Sequence, residues 1–181
     1  PYSFYPAFVE YPGSTSLTLE TSRDTVVQIC RGLSRFGPKR FYVLNTGVST
    51  VRALAPAAEM LAAEGILMRY TDLLKALGPT EKAIAKQEGG THADEIETSM
   101  ILYMSPGDAD MAKAVKDYHP GKGSLTRDEK AEGKTYSPTG VFGDATLATK
   151  EKGRIVTEAL VEAILKEIEE LRNSQPPPPA R

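Results

Sequence analysis

The sequence predicts an α/β layered fold, a mostly parallel sheet flanked by helices, on three observations. Phe41-Tyr42-Val43-Leu44 and Ile66-Leu67-Met68-Arg69-Tyr70 are short continuous apolar runs bounded by turn residues, the pattern of strands buried on both faces. Between them Leu54, Ala58, Leu61 and Ala62 recur at helical spacing up to Gly65. A strand, helix and strand over residues 41–71 leave a crossover long enough for two parallel strands joined right-handedly.

The other elements follow in chain order. The first twenty residues are rich in Pro, Gly, Tyr and Phe, and Tyr11-Pro12-Gly13-Ser14-Thr15 reads as a turn. From Thr21, with Asp24 three residues on as a capping box, Val26, Ile29, Cys30 and Leu33 form one apolar helical stripe that Gly37-Pro38 stops. Pro56 is expected in the first turn of the second helix or at a kink. Asp72 to Gly90 reads as helix and then loop. Glu97 to Met104 fits a buried helix or a strand, and the helix is preferred because Asp94, Glu95 and Glu97 would crowd its positive end. Asp117 to Phe142, with four Gly and two Pro, is a long excursion that wraps a site or wanders. Thr149 to Leu171 is an amphipathic helix, capped by Thr149, with Leu160, Ile164, Ile168 and Leu171 along one face.

A chain of 181 residues, 40% hydrophobic and 25% charged, suits one globular domain, taken here as residues 1–172. Residues 173–181, with four consecutive prolines, read as a stiff, disordered tail. Twenty-two basic residues scattered among 24 acidic ones give no electrostatic footprint for nucleic acid. No apolar run reaches the roughly 18 residues that span a bilayer, and Pro1 to Pro6 lacks a signal-peptide layout, so no membrane partner is expected. The absence of a starting Met suggests a segment removed upstream; the compartment is read as cytoplasmic, with export left open. Cys30, the single cysteine, is expected as a small buried hydrophobe.

In parallel α/β sheets ligands gather at the carboxyl ends of strands, which nominates Asn45-Thr46-Gly47-Val48-Ser49-Thr50 and Tyr70-Thr71-Asp72. Ser49 and Thr50 equally suit caps for the next helix. His92-Ala93-Asp94-Glu95-Ile96-Glu97-Thr98-Ser99 sets one of two histidines within five residues of three carboxylates, after a Gly89-Gly90 hinge. Such a set can shuttle protons, supply ligands to a divalent metal, or simply be an acidic helix start preceded by a loop histidine. His119 is expected as a solvated loop residue, and Asp144 as the residue that fixes its own turn.

Tyr11-Pro12-Gly13-Ser14-Thr15-Ser16-Leu17, Asn45 at a strand end, His92-Ala93-x-Glu95-x-Glu97-Thr98-Ser99 and Gly143-Asp144-x-Thr146-x-Ala148-Thr149-x-Glu151-Lys152-Gly153, in this order, resemble the creatininase family. The resemblance implies a creatininase-like α/β hydrolase of small cyclic amides or formamides, built on a divalent two-metal centre of zinc or manganese. It implies a homo-oligomer, usually a hexamer. His92 would be the catalytic proton shuttle and Glu97 would hold its loop, with Asn45, Gly47, Ser49, Thr71, Asp94 and Glu95 near the pocket. The family's N-terminal Glu-x-His and Asp ligands have no counterpart here, so the chain reads as lacking that segment. Where the family has Asn-Gly-His-x-Glu-Asn, Gly47 and Ser49 replace the two ligands, so the metal ligands are left unassigned and the metal can be absent. Thr71 replaces a tryptophan lid and Glu88 falls near a second one, which argues against creatinine as substrate. The alternative is a non-catalytic binding or assembly subunit with a degenerate metal centre.

Overall fold

The computed structural model describes residues 3–180. They divide into two compact units: the chain up to Pro6 with Thr15–Ala76 and the stretch from Glu162, and Ala7–Ser14 with Leu77–Val161. The α/β class holds, with α-helices joined to short two-stranded sheets.

In the first unit, α1 (Leu19–Ser34) starts before the expected point. Thr18, in an extended conformation, caps it by accepting the Thr21 N–H at 3.1 Å. The Thr21 and Asp24 box does not form, because Thr18 already supplies the acceptor and Asp24 pairs with Arg23. Cys30 is buried, as its place on the stripe required. β1 (Arg40–Val43) and β2 (Leu67–Tyr70) pair in parallel across α2 (Val51–Ala62), with Phe41 opposite Met68 and Val43 opposite Tyr70. Of the two places expected for Pro56, the first turn or a kink, the first is not taken: it lies in the second turn of α2.

Side chains alternate between the faces of the pair. Phe41, Val43, Met68 and Tyr70 pack on the core formed with Val27, Leu54 and Leu61. Tyr42 and Arg69 bond to the end of α5 (Lys150–Asn173): the Tyr42 hydroxyl donates to Glu167 Oε2 at 2.5 Å and Arg69 Nη1 to Glu170 Oε2 at 3.3 Å. The expectation of strands buried on both faces is thereby corrected. One face is apolar and one polar, the strands are largely half-buried, and Leu44 beyond β1 is 64% exposed. After α5, Ala180 N–H donates to the Ala63 carbonyl at 2.8 Å.

In the second unit the expected helix over strand is found: α4 spans Glu95–Met104. Its Ile96 joins Leu77 of α3 (Leu73–Ile84) and Val156 of α5 in a core bordered by Leu160. The single apolar face expected along α5 is corrected, since Ile168 is 41% exposed and the wholly buried residue is Val156. The helix contributes to both units, so its buried positions do not follow one stripe.

At Gly153 α5 meets α4, and a Cβ there would fall 1.8 Å from the Ser99 carbonyl oxygen. Ser99 is wholly buried, its Oγ donating to the Glu95 carbonyl at 2.5 Å and accepting the Thr149 N–H at 3.0 Å. Gly153→Ala is expected to cost about 3 kcal/mol through overpacking of backbone on backbone. A urea midpoint equal to wild type would contradict it.

The excursion after α4 holds β3 (Lys116–Asp117) antiparallel to β6 (Gly143–Asp144) and β4 (Leu125–Thr126) parallel to β5 (Thr135–Tyr136). Buried Asp117 organises it, Oδ2 accepting from Ser137 Oγ at 3.0 Å and from Thr139 N–H at 3.1 Å. His119, half-exposed, has Nε2 3.3 Å from Asp117 Oδ1. Asp144 fixes its own turn as expected, Oδ1 accepting the Thr146 N–H at 3.0 Å. Among the described residues no helix is long and apolar enough to cross a membrane.

Candidate active site

The strand-end turn lies in the first unit and is closed on itself. Asn45 is buried, its Nδ2 donating to the carbonyls of Gly47 at 2.8 Å and Thr71 at 3.0 Å, while Oδ1 accepts the Gly47 N–H at 3.2 Å. The Thr50 hydroxyl stands 2.5 Å from Asn45 Oδ1 and 2.6 Å from the Gly47 carbonyl. Thr50 therefore does not cap α2 with its side chain, contrary to expectation, because Asn45 engages it. Half-buried Ser49 accepts the Arg52 N–H on its carbonyl at 3.2 Å. Thr71 is wholly buried, its hydroxyl 2.9 Å from the Tyr42 hydroxyl. Burial and the neighbouring Glu167 push the Tyr42 phenol up to about 12, so it stays a proton donor.

Gly47 could not carry a longer side chain without rearrangement. A Cβ there would sit 2.6 Å from Tyr5 Cε1 and 2.9 Å from the Tyr5 hydroxyl oxygen. Tyr5, which no sequence motif marked, fills the space into which a residue at this position would project.

The histidine segment lies in the second unit. Gly89 and Gly90 are close-packing positions and not a hinge: a Cβ on Gly89 would lie 2.3 Å from the Tyr118 hydroxyl, and one on Gly90 2.3 Å from the Phe142 carbonyl oxygen. His92 forms an antiparallel bridge with Phe142, whose N–H it accepts at 2.9 Å. Ala93 follows with φ 47°, an uncommon conformation for a residue with a Cβ. It turns its N–H onto Glu97 Oε2 at 2.6 Å, and the His92 Nδ1 lies 3.5 Å from that same oxygen. Burial pushes the Glu97 carboxyl above the usual range, against the opposing pull of the Ala93 N–H and His92.

Asp94 and Glu95 support this arrangement from inside the fold. Asp94 caps α4, accepting the N–H groups of Ile96 at 2.9 Å and Glu97 at 3.0 Å, and Gln87 Nε2 donates to its other oxygen at 2.6 Å. Glu95 is wholly buried; Oε2 accepts the N–H groups of Lys86 at 2.8 Å and Gln87 at 2.7 Å, and Lys152 pairs with Oε1. Burial opposes its charge, yet Lys152 and these two N–H groups hold its carboxyl below the ordinary value. Lys152 stood within the matched Glu151-Lys152-Gly153 segment, whereas Gln87 carried no signal in sequence.

The profile of the creatininase family, creatinine amidohydrolase, matches residues 1–168. The chain belongs to the creatininase family. It is 27% identical over 174 residues to the creatinine amidohydrolase of Pseudomonas putida, covering 88% of this chain and 66% of that protein, just under two thirds of the relative's length. Among solved structures it resembles a manganese creatininase (TM-score 0.66, 25% identity, 88% of this chain and 67% of that one). It also resembles a mutant creatininase of Zn-Zn type (0.64, 25%, 93% and 71%). The fold is shared with a putative creatinine amidohydrolase from Bacteroides fragilis NCTC 9343 (0.74, 21%, 96% and 70%).

Manganese and zinc in these relatives raise the question of whether this creatininase-family chain has matching ligands. Among the described residues no group of three or more His, Cys, Asp or Glu side chains is placed to hold a metal ion. The strand-end turn offers Gly47 and Ser49, neither a good donor for zinc or manganese, and Tyr5 fills the space beside Gly47. The described residues do not fit a two-metal centre.

Proposed function

We propose that this chain is an amidohydrolase unit of the creatininase kind, acting on the C–N bond of a small cyclic amide or formamide other than creatinine. The observation that carries this reading is the His92 and Glu97 pair. The carboxylate faces Nδ1, which leaves Nε2 free to pass a proton to the departing nitrogen: water adds its oxygen to the carbonyl carbon as the C–N bond breaks, and the water's proton restores the ring. His92 is 40% exposed on its side chain, so a substrate can reach it. The exclusion of creatinine rests on Thr71, whose buried hydroxyl on Tyr42 cannot provide a stacking aromatic surface. A homo-oligomeric assembly, a hexamer by likeness to the family, completes the proposal.

A second reading, a non-catalytic binding or assembly subunit, is favoured by the closed turn at Gly47. One experiment separates them. The protein is incubated with Zn or Mn, freed of excess ion, analysed for metal and assayed for amine release from a panel of cyclic amides and formamides. Amine release that depends on His92 supports the enzyme, and the metal found with it shows whether ions take part. Neither metal nor turnover after reconstitution overturns it in favour of the binding subunit.

A further inference from the structure

We infer that Phe8 is a positioning residue for the His92 imidazole, an inference that rests on the hydrolase reading for its catalytic consequence but not for the contact itself. The Phe8 ring lies on the His92 ring with centroids 4.0 Å apart and planes tilted by 36°. Glu97 Oε2 faces Nδ1 of the same ring at 3.5 Å. An imidazole whose main chain is fixed by the Phe142 bridge still has χ1 and χ2 to choose. An aromatic face on one side and a carboxylate at Nδ1 select one orientation, and the nitrogen left free is Nε2.

The segment that carries Phe8 is itself tethered. Phe8 ends a short 3-10 turn, Pro6–Phe8, and its carbonyl accepts the Tyr11 N–H at 3.0 Å. The Tyr11 hydroxyl donates to the Ser137 carbonyl at 2.6 Å, and Arg127 lies over the Tyr11 ring at 5.2 Å. Glu10 pairs with Lys134. Residues 8–11 are thereby pinned to the excursion at Arg127, Lys134 and Ser137, all in the second unit. Tyr11 opens the turn motif that the sequence singled out; its use here is to fix the residue three positions before it.

The test uses Phe8→Leu and Phe8→Tyr in the full chain, with His119→Gln to assign the two imidazoles by NMR. In wild type the His92 ring protons should form one sharp set displaced upfield by the Phe8 ring. In Phe8→Leu they should lose that displacement and broaden, and in Phe8→Tyr they should keep it. On an amide that the wild type hydrolyses, Phe8→Leu should lower kcat about tenfold with KM unchanged, and Phe8→Tyr should recover most of it. His92 resonances unmoved in Phe8→Leu overturn the contact. Unchanged kcat in Phe8→Leu, where His92→Ala removes turnover, overturns the positioning role alone. Full turnover in His92→Ala overturns the hydrolase reading and leaves the ring contact to the NMR result.

Discussion

His92→Ala is expected to lower amide turnover by roughly 10²- to 10⁴-fold, the span typical of losing a general acid or base. The fold should survive, because the side chain is 40% exposed and the segment is held by main-chain bonds to Phe142 and by the Asp94 cap. Amine release and a thermal melt on the same preparation check both halves of the expectation. Glu97→Gln should have a smaller effect on rate, since an amide oxygen can still accept the Ala93 N–H but carries no charge toward Nδ1. A His92→Ala variant with wild-type turnover would remove the imidazole from the chemistry. A collapsed melt would show that the ring is needed for the fold.

Lys152→Met should be the most destabilising single change in the second unit, at about 3–5 kcal/mol, because it leaves Glu95 as an unpaired charge in a wholly buried place. Its pH dependence has a definite sign. The folded Glu95 carboxyl lies below its ordinary 4.5, so the stability it contributes is present above about that pH and drains away as the pH falls through the lowered value. Wild type should therefore lose stability on acidification more steeply than Glu95→Gln. The deficit of Lys152→Met should shrink toward acid, where an unpaired Glu95 takes up a proton and no longer needs a cation. Urea titrations at neutral pH and near pH 4 measure both effects. A Lys152→Met deficit that is the same at the two pH values would show that the ammonium is not what neutralises Glu95.

Local signals carried most of the secondary structure. The runs around Phe41 and Met68 became the parallel pair, and the helix between them was legible from its apolar spacing and Gly65. The helix after Asp94 was recognised through carboxylates at its start, and Asp94 does cap it. What failed were statements about environment. The strands are half-buried and not enclosed on both faces, because Tyr42 and Arg69 meet Glu167 and Glu170 from more than 90 residues away. Gly89-Gly90, read as a hinge, is a pair of tight contacts with Tyr118 and Phe142, partners that sequence spacing cannot reveal.

The candidate site was legible to the same degree and for the same reason. Residue types marked out His92 among three carboxylates, and the family resemblance singled out Glu97 and the ligand positions held by Gly47 and Ser49, poor metal donors because donor chemistry is a property of each side chain. Tertiary structure decided what surrounds them. It set Phe8 on the imidazole, Tyr5 beside Gly47, and Lys152 on Glu95. Those contacts join segments 42 to 84 residues apart, where position depends on how the whole chain packs and not on any local preference. Covalent sequence fixes which protons and charges a group can carry; only the folded chain fixes which way it faces and what excludes water from it.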